Sequence, residues 1–287
     1  MTFFSRPLRL GRRLLGRSRP RFPYLTGKFD LDVYRERASL PGWSGTELTI
    51  QPTFHLKGLL RRPSGPAPWL LYFPGNDPDQ LGQGQAFLSH FLDRDWGLAA
   101  YACRGFDVSE RPPSLAELTA DAPQVLSELC KSQRISPRAI HVVGFSLGGY
   151  LACVAASTAS RENRGPATLS LLAPVHEAVM LRRSLWQKLD RGDPCDSRPF
   201  LARISAPVLL VQGTADEAFG GPAQGRAMAR ALGARASYLE LSGVGHNELL
   251  SHERALSALR DFVSGHSADA SALPGPVPRA SHVSEHR

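Results

Sequence analysis

The stretch His141–Ala152 reads HVVGFSLGGYLA, and it decides the fold. Val142 and Val143 end a short apolar run, and glycines then surround Ser146. An apolar run that ends in glycines predicts a buried strand followed by a tight turn, with the serine at its apex. An alanine-rich stretch comes next, so the local pattern is a strand, a turn and a helix.

The residues from Gly144 to Gly148 match G-x-S-x-G, which is a weak signal by itself. The predicted strand and helix on either side strengthen it, because the motif requires that context. In such a turn the serine is expected to have a positive φ, and Cβ atoms two residues before and after it would collide with their neighbours. The two glycines remove those atoms. The hydroxyl of Ser146 is then presented at a helix N-terminus, where partial positive charge stabilises an oxyanion.

The charge of the chain is unevenly distributed. The formal net charge is +8 over 287 residues, and residues 1–28 carry all of the excess, with seven arginines, one lysine and no acidic residue. The rest of the chain is balanced, so it has no basic surplus to attract a polyanion. We therefore expect no nucleic-acid partner. Separately, 42% of the residues are hydrophobic, which is enough for the chain to bury a substantial core.

The basic N-terminal arm, residues 1–28, has two interpretations. Phe4, Leu8 and Leu15 would share one helical face, with arginines largely on another, a pattern that fits weak contact with an anionic membrane surface. A flexible leader is the competing interpretation, and three residues that disfavour a helix support it: Gly11, Gly16 and Pro20.

The cysteines and the apolar runs indicate in which cellular compartment the protein is expected. No C-x-x-C pair occurs, which argues against a zinc site, and we expect reduced thiols and a cytoplasmic protein, peripheral to a membrane if the arm binds one. No apolar run approaches the length of a membrane-spanning helix, and the arm lacks the apolar core of a secretory signal. The four cysteines are Cys103, Cys130, Cys153 and Cys195.

Strand-like and helix-like segments alternate through the body of the chain. This alternation predicts an α/β fold with a mostly parallel sheet of about eight strands and helices on both faces. The body is one domain, residues 29–265, with a small helical cap inserted at about 176–203 and a disordered tail over 266–287. The predicted strands are 47–51, 54–60, 69–73, 97–103, 139–143, 167–172, 208–212 and 237–241, and the predicted helices are 81–92, 114–132, 146–157, 221–232 and 247–263.

Two polar residues late in the chain follow predicted strands. His246 lies in SGVGHNEL after the strand 237–241, and a serine hydroxyl needs such a base because it is a poor nucleophile alone. Asp216 lies in GTADE after the strand 208–212, where its carboxylate can orient the imidazole. Glu217 is the immediate rival, but Asp216 occupies the G-x-x-D position. Four other histidines lack such a setting: His55, His90, His141 and His176.

An oxyanion intermediate needs two N–H donors. Leu147, directly after the serine, supplies one at the helix N-terminus. The second is expected from the loop after the strand 69–73, which reads PGNDPDQLGQG. Gly75 lets this loop approach a substrate closely, and Asn76 is the predicted donor. An ordinary turn is the competing interpretation of this loop.

Together these segments resemble the α/β-hydrolase superfamily over about residues 46–263. The markers are YFPGN, CRGFDVSE, GFSLGG, GTADE and GVGHNEL, in the order of the family. The nearest resemblance is to its small-cap branch of monoacylglycerol-lipase-like, serine-aminopeptidase-like and depalmitoylase-like enzymes. In that branch the loop after the third strand commonly begins His-Gly, whereas Pro74 stands here. The family pattern also makes Arg104 a structural anchor rather than a substrate clamp.

The resemblance implies an enzyme that hydrolyses the ester, thioester or amide bond of a small-molecule acyl substrate through an acyl-enzyme intermediate. The implied catalytic residues are Ser146, Asp216 and His246, with no metal or organic cofactor. Two alternatives stay open: an acyltransferase that uses the same triad, and a non-catalytic binding protein built on the fold. The substrate, its acyl-chain length and the oligomeric state are not specified by the sequence.

Overall fold

Eight strands form a single sheet in the computed structural model, which describes residues 30–51, 54–106, 113–177, 195–218 and 221–267. In chain order the strands are β1 (Ser44–Gln51), β2 (Phe54–Arg61), β3 (Trp69–Phe73), β4 (Gly97–Tyr101), β5 (Ile140–Phe145), β6 (Thr168–Leu172), β7 (Val208–Gly213) and β8 (Ala236–Leu241).

The strand order across the sheet is β1-β2-β4-β3-β5-β6-β7-β8. β2 pairs antiparallel with both β1 and β4, and every other neighbouring pair is parallel. The predicted mostly parallel sheet is therefore confirmed. Since the carboxyl ends of parallel strands meet at one edge, the loops after β3, β5, β7 and β8 lie along the same edge of the sheet.

Seven α-helices lie within the described ranges, and most fall where the sequence predicted one. The predicted helix over 247–263 is wrong in its first turn, because a short 3₁₀ helix, Asn247–Leu250, precedes the last α-helix. Ser251 ends the 3₁₀ helix, and His252 has extended backbone with φ −74° and ψ 121°, which separates the two. The helices are α1 (Leu31–Ser39), α2 (Gln80–Ser89), α3 (Leu115–Gln133), α4 (Leu147–Arg161), α5 (Arg198–Leu201), α6 (Pro222–Leu232) and α7 (Glu253–His266).

Helices cover both faces of the sheet, so the central strands are buried throughout, including the polar residues His141 and Ser170. Leu71 and Val142 pack in a core with α3, α4 and α6, while Tyr72 and Val143 pack in a second core with α2 and α7. Successive strand residues point to opposite faces. A strand that is buried on both faces reads as a continuous apolar run, which is why WLLYF at Trp69–Phe73 has no polar alternation.

Arg104, on the loop after β4, is tied to α3. Its Nε and Nη2 donate to the two carboxylate oxygens of Asp121 at 2.7 and 2.9 Å, and its guanidinium lies 3.8 Å from the centre of the Phe54 ring. Both side chains of the ion pair are largely buried. A bidentate, buried pair of this kind fixes geometry, so the expected role of Arg104 as a structural anchor agrees with its contacts.

The predicted cap, residues 176–203, lies partly outside the described residues. Its two described ends meet: Glu177 forms an isolated bridge with Asp196, and His176 Nδ1 lies 2.6 Å from Ser197 Oγ. The helix α5 follows directly and belongs to this segment. The arm over 1–28 and the tail beyond 267 also lie outside the described residues, and no described helix is both long and apolar enough to cross a membrane.

Candidate active site

Ser146 lies between β5 and α4 and has a strained backbone conformation. Its φ is +53° and its ψ is −117°, a region that residues with a Cβ atom seldom adopt. Three backbone hydrogen bonds hold it there: its N–H donates to the Leu172 carbonyl at 3.0 Å, and its carbonyl accepts from Val175 N–H at 3.1 Å and from Gly149 N–H at 3.0 Å. The positive φ expected for this serine is therefore present, and the neighbouring strand β6 supports the turn.

The glycines at 144 and 148 are required by space. A Cβ atom on Gly148 would lie 2.0 Å from the carbonyl oxygen of Phe73, and one on Gly144 would lie 2.5 Å from the carbonyl oxygen of Gly148. Both contacts are with backbone, which cannot rotate away. The turn Gly144–Gly148, called the serine turn below, thus needs both glycines, as the sequence predicted.

The two predicted oxyanion donors lie on segments that flank Ser146. Leu147 is the first residue of α4, so its N–H has no carbonyl within the helix to bond. The loop after β3 runs beside the serine, because a Cβ atom built on Gly75 would lie 3.5 Å from the Ser146 Cβ. Asn76 follows Gly75 directly, and the two predicted donor residues are therefore brought to the same place.

The predicted acid and base are in contact. Asp216 Oδ2 lies 2.9 Å from His246 Nδ1, and their side chains are 2% and 18% exposed. Donation from Nδ1–H to the carboxylate leaves Nε2 of the neutral ring as a proton acceptor. Glu217, the rival carboxylate, is exposed to solvent. The carboxylate that contacts the imidazole is therefore Asp216.

The loops that carry Asp216 and His246 are bonded to each other. Ala215 N–H donates to the Val244 carbonyl at 3.0 Å, and Gly243 N–H donates to Thr214 Oγ1 at 2.8 Å. Gly243 has φ +74°, a conformation that favours glycine. The segments 214–217 and 242–246, called the acid-base loops below, therefore form one unit at the ends of β7 and β8.

Phe145 links the three parts of the site. The imidazole of His246 lies against its ring, with the ring centres 4.9 Å apart. On the other side, a Cβ atom on Gly75 would lie only 2.8 Å from the same ring. Since Phe145 immediately precedes Ser146, the base and the loop after β3 both flank the residue next to the serine. These contacts bring His246, together with its partner Asp216, and the loop that carries Asn76 to the residue that precedes Ser146.

Two buried histidines lie apart from this constellation. His141, on β5, contacts Thr168 Oγ1 at 2.9 Å through Nδ1, and burial lowers its pKa to about 4. Burial also lowers the pKa of His176, which contacts Ser197. Among the residues that the structure describes, no three or more His, Cys, Asp or Glu side chains are grouped to hold a metal ion.

The chain was compared with protein-family models and with known proteins. No family model matches the chain. It is 28% identical over 196 residues to human alpha/beta hydrolase domain-containing protein 17C, a match that covers 68% of this chain and 57% of that protein. The chain therefore matches less than two thirds of the length of this relative.

Two solved structures resemble the chain as a whole. A bacterial membrane phospholipase A aligns with a TM-score of 0.64 and 19% identity, covering 83% of this chain and 91% of the other. Esterase 2 of Thermogutta terrifontis aligns with a TM-score of 0.61 and 17% identity, covering 79% and 96%. The chain has the α/β-hydrolase fold, and its sequence is similar to that of alpha/beta hydrolase domain-containing proteins.

In this α/β-hydrolase fold, two contacts on Asp216 were not anticipated from the sequence. Gln212, on β7 and 1% exposed, donates its Nε2–H to Asp216 Oδ2 at 2.7 Å. The backbone N–H of Ala218 donates to Oδ1 at 2.8 Å. The carboxylate thus accepts bonds on both oxygens. The only sequence signal for the Gln212 contact was one polar residue near the end of the apolar strand VLLVQG. The sequence does not indicate which group that amide would bond.

Proposed function

We propose that the protein is a serine hydrolase that cleaves a carboxylic ester, with thioester or amide substrates as chemical variants, through an acyl-enzyme intermediate. One observation carries the proposal. The bonded pair His246–Asp216 lies against Phe145, the residue that immediately precedes a serine in a strained turn. A nucleophile, a base and an orienting group in this order constitute the triad arrangement.

In the proposed first half-reaction, Nε2 of His246 accepts the proton of the Ser146 hydroxyl while Oγ attacks the carbonyl carbon of the substrate. The tetrahedral oxyanion accepts hydrogen bonds from the N–H groups of Leu147 and Asn76. The imidazolium, stabilised by Asp216, then donates its proton to the departing alcohol. Because the donors are fixed in backbone, they need little reorganisation as the charge develops.

The second half-reaction repeats these roles with water. Nε2 of His246 accepts a proton from a water molecule, whose oxygen attacks the acyl carbonyl on Ser146. The second tetrahedral intermediate then collapses, the acid leaves, and the proton returns to Oγ. Every proton moves between the substrate, water, Ser146 and His246, so the proposed chemistry needs no metal or organic cofactor.

The names of two structural neighbours support an ester as the bond that is cleaved, since one is an esterase and the other a phospholipase A. Both are under 20% identical to this chain, so they support the class of bond and leave the acyl group open. A series of p-nitrophenyl esters of increasing chain length would measure the preferred acyl group.

Labelling with a fluorophosphonate probe tests the proposal directly. The wild-type protein should be labelled, and Ser146→Ala and His246→Ala should lose labelling and esterase activity. Ser157→Ala is a matched control, because Ser157 is a buried serine of α4, the helix that begins directly after Ser146. Undiminished labelling of Ser146→Ala would overturn the assignment of the nucleophile.

A further inference from the structure

The loop Pro74–Asp77, called the oxyanion loop below, raises a question about how it is held in place. In the small-cap relatives this loop commonly begins with histidine, whereas here it begins with proline, whose ring makes no hydrogen bond. A loop that supplies an oxyanion donor must nevertheless be fixed to within a fraction of an ångström. The contacts that hold it come from α2.

Two glutamines on α2 bond both polar backbone groups of Gly75. The Gly75 N–H donates to Gln83 Oε1 at 2.9 Å, and the Gly75 carbonyl accepts from Gln80 Nε2 at 2.8 Å. The two glutamines are three residues apart, so they lie on one side of the helix. The peptide groups on both sides of Gly75 are thereby held by a single helix.

The orientation of each glutamine is fixed by its other contacts. Gln80, which is 2% exposed, accepts the N–H of Cys103 on its Oε1 at 2.7 Å. Gln83 accepts the Tyr72 hydroxyl on Oε1 at 3.1 Å and donates Nε2–H to Asp77 Oδ2 at 3.2 Å. Burial raises the pKa of Tyr72 well above its usual value, so its hydroxyl stays a donor.

We propose that Gln80 and Gln83 are positioning residues for the oxyanion hole, and this inference rests on the proposed serine hydrolase function. They hold Gly75 so that the next amide, that of Asn76, is directed at the developing oxyanion. Since Gln83 already accepts the Gly75 N–H, that group is committed to the loop and the donor to the substrate is the following residue. Neither glutamine contacts the reacting atoms in this proposal.

The expected effect is smaller than the loss of a donor. Removing an oxyanion-hole donor lowers kcat about 10²- to 10³-fold. Loosening the segment that carries the donor leaves it present but misplaced, and we expect Gln80→Leu and Gln83→Leu each to lower kcat about 10- to 100-fold. KM should change less than about threefold, because the bond to the oxyanion strengthens only in the transition state.

A pair of matched substrates separates an oxyanion defect from a general loss of structure. In an ester the developing charge is on oxygen, whereas in the corresponding thionoester it is on sulfur, a weak hydrogen-bond acceptor. The ratio of kcat/KM for the ester to that for the thionoester therefore reports the oxyanion donors. We expect this ratio to fall about tenfold in both leucine variants.

Gln85→Leu is the matched control. Gln85 is a buried glutamine of the same helix, but its Nε2 donates to the Arg37 carbonyl of α1 at 3.1 Å rather than to the oxyanion loop. This variant should keep the wild-type ratio, and thermal melting checks that all three variants are folded. An unchanged ratio in folded Gln80→Leu and Gln83→Leu would overturn the inference.

A paired substitution tests the Gln83 contact without removing it. Gln83→Glu keeps an oxygen that can accept the Gly75 N–H, but it places a second carboxylate beside Asp77 and should lower the ratio. Adding Asp77→Asn restores a donor and an acceptor with the roles exchanged, and the ratio should recover. Absence of recovery would count against the proposed network.

The two proposals fail in different ways. If Ser146→Ala keeps wild-type activity, the proposed function is wrong and the ratio carries no information about an oxyanion. If Ser146→Ala is inactive while the glutamine variants keep the wild-type ratio, the function stands and only the positioning role is wrong.

Discussion

The serine turn and the acid-base loops are held by different kinds of interaction. The serine turn, Gly144–Gly148, is fixed by backbone bonds to the strand β6 and the residues after it, and by contacts that leave no room for a Cβ atom. The acid-base loops, 214–217 and 242–246, also have backbone bonds, but the side chains that would act in catalysis are held there by polar side-chain bonds, such as those of Asp216 with Gln212 and His246.

This difference predicts how each region responds to substitution. Backbone packing against a central strand has no alternative arrangement, so an added methyl group must displace the strand or unfold the turn. Polar side-chain bonds can be lost one at a time. We therefore expect changes in the serine turn to lower stability, and changes in the acid-base loops to lower activity while the fold persists.

The largest effect is expected for Asp216→Asn. An amide there favours the wrong tautomer of His246 and no longer stabilises its charged form, so kcat should fall about 10³- to 10⁴-fold. Steady-state kinetics with a p-nitrophenyl ester measure this loss, and thermal melting should show little change. The exposed neighbour Glu217 supplies the control, since Glu217→Gln should keep wild-type kcat. Equal losses in the two variants would contradict the assignment of the carboxylate.

Gly148→Ala tests the other region. Its Cβ atom would lie 2.0 Å from the Phe73 carbonyl oxygen, and we expect the free energy of unfolding to fall by about 3 kcal/mol. Gly245→Ala in the acid-base loops is the comparison, because there the nearest atom, in Glu248, is 3.6 Å away. That change should cost less than about 0.5 kcal/mol. Urea denaturation measures both, and similar costs would remove the contrast between the regions.

Acid should destabilise the strand that leads to the serine turn. Burial and the nearby His266 lower the pKa of His141 from 6.5 to about 4. Between these values the unfolded chain binds a proton that the folded chain does not, so stability is full above pH 6.5 and falls as the pH approaches 4. At pH 4.5 relative to pH 7, His141→Gln should lose about 2 kcal/mol less stability than the wild type.

Urea denaturation at several pH values measures how steeply the free energy of unfolding falls with pH in each variant. The control is His55→Gln, because His55 is exposed on β2. Its replacement should leave the pH dependence of the free energy of unfolding unchanged. If His141→Gln and the wild type lose the same stability over this range, His141 does not carry the acid sensitivity.

The smallest effect is expected for Gln212→Leu. Its bond to Asp216 Oδ2 orients the carboxylate, but the N–H of Ala218 and His246 still hold the same group. We expect kcat to fall about tenfold with little change in KM, because the orientation of a catalytic group is relaxed rather than lost. Gln85→Leu again serves as the buried control. A loss as large as that of Asp216→Asn would mean that Gln212 does more than orient the acid.

Much of the fold was predictable because its signals are local. Continuous apolar runs identified the strands of a sheet buried on both faces, and the pattern G-x-S-x-G within strand, turn and helix located Ser146. The topology then brings strand ends together, which is why Asp216 and His246, 30 residues apart, were expected to meet. The separation of the last helix from its 3₁₀ turn was missed, because helical periodicity continues across Ser251 and His252.

The contacts of the glutamines were not predictable in the same way. Gln80, Gln83 and Gln212 read as ordinary polar residues in a helix or at the end of a strand, and an amide can bond many partners. Their roles depend on which backbone groups the fold leaves opposite them. The presence of Pro74 in place of the common histidine was visible in the sequence, but it gave no indication of which residues hold the oxyanion loop.

The distribution of the cysteines offers a way to observe one half of the molecule opening. All four are buried, and all four belong to the core under α3 and α4, with none in the core under α2 and α7. Burial raises the pKa of Cys130 to about 11 and that of Cys153, on α4, to about 12, so they react only when this half is exposed. The rate of native-state thiol labelling therefore measures opening events around the helix that begins next to Ser146, with no engineered probe.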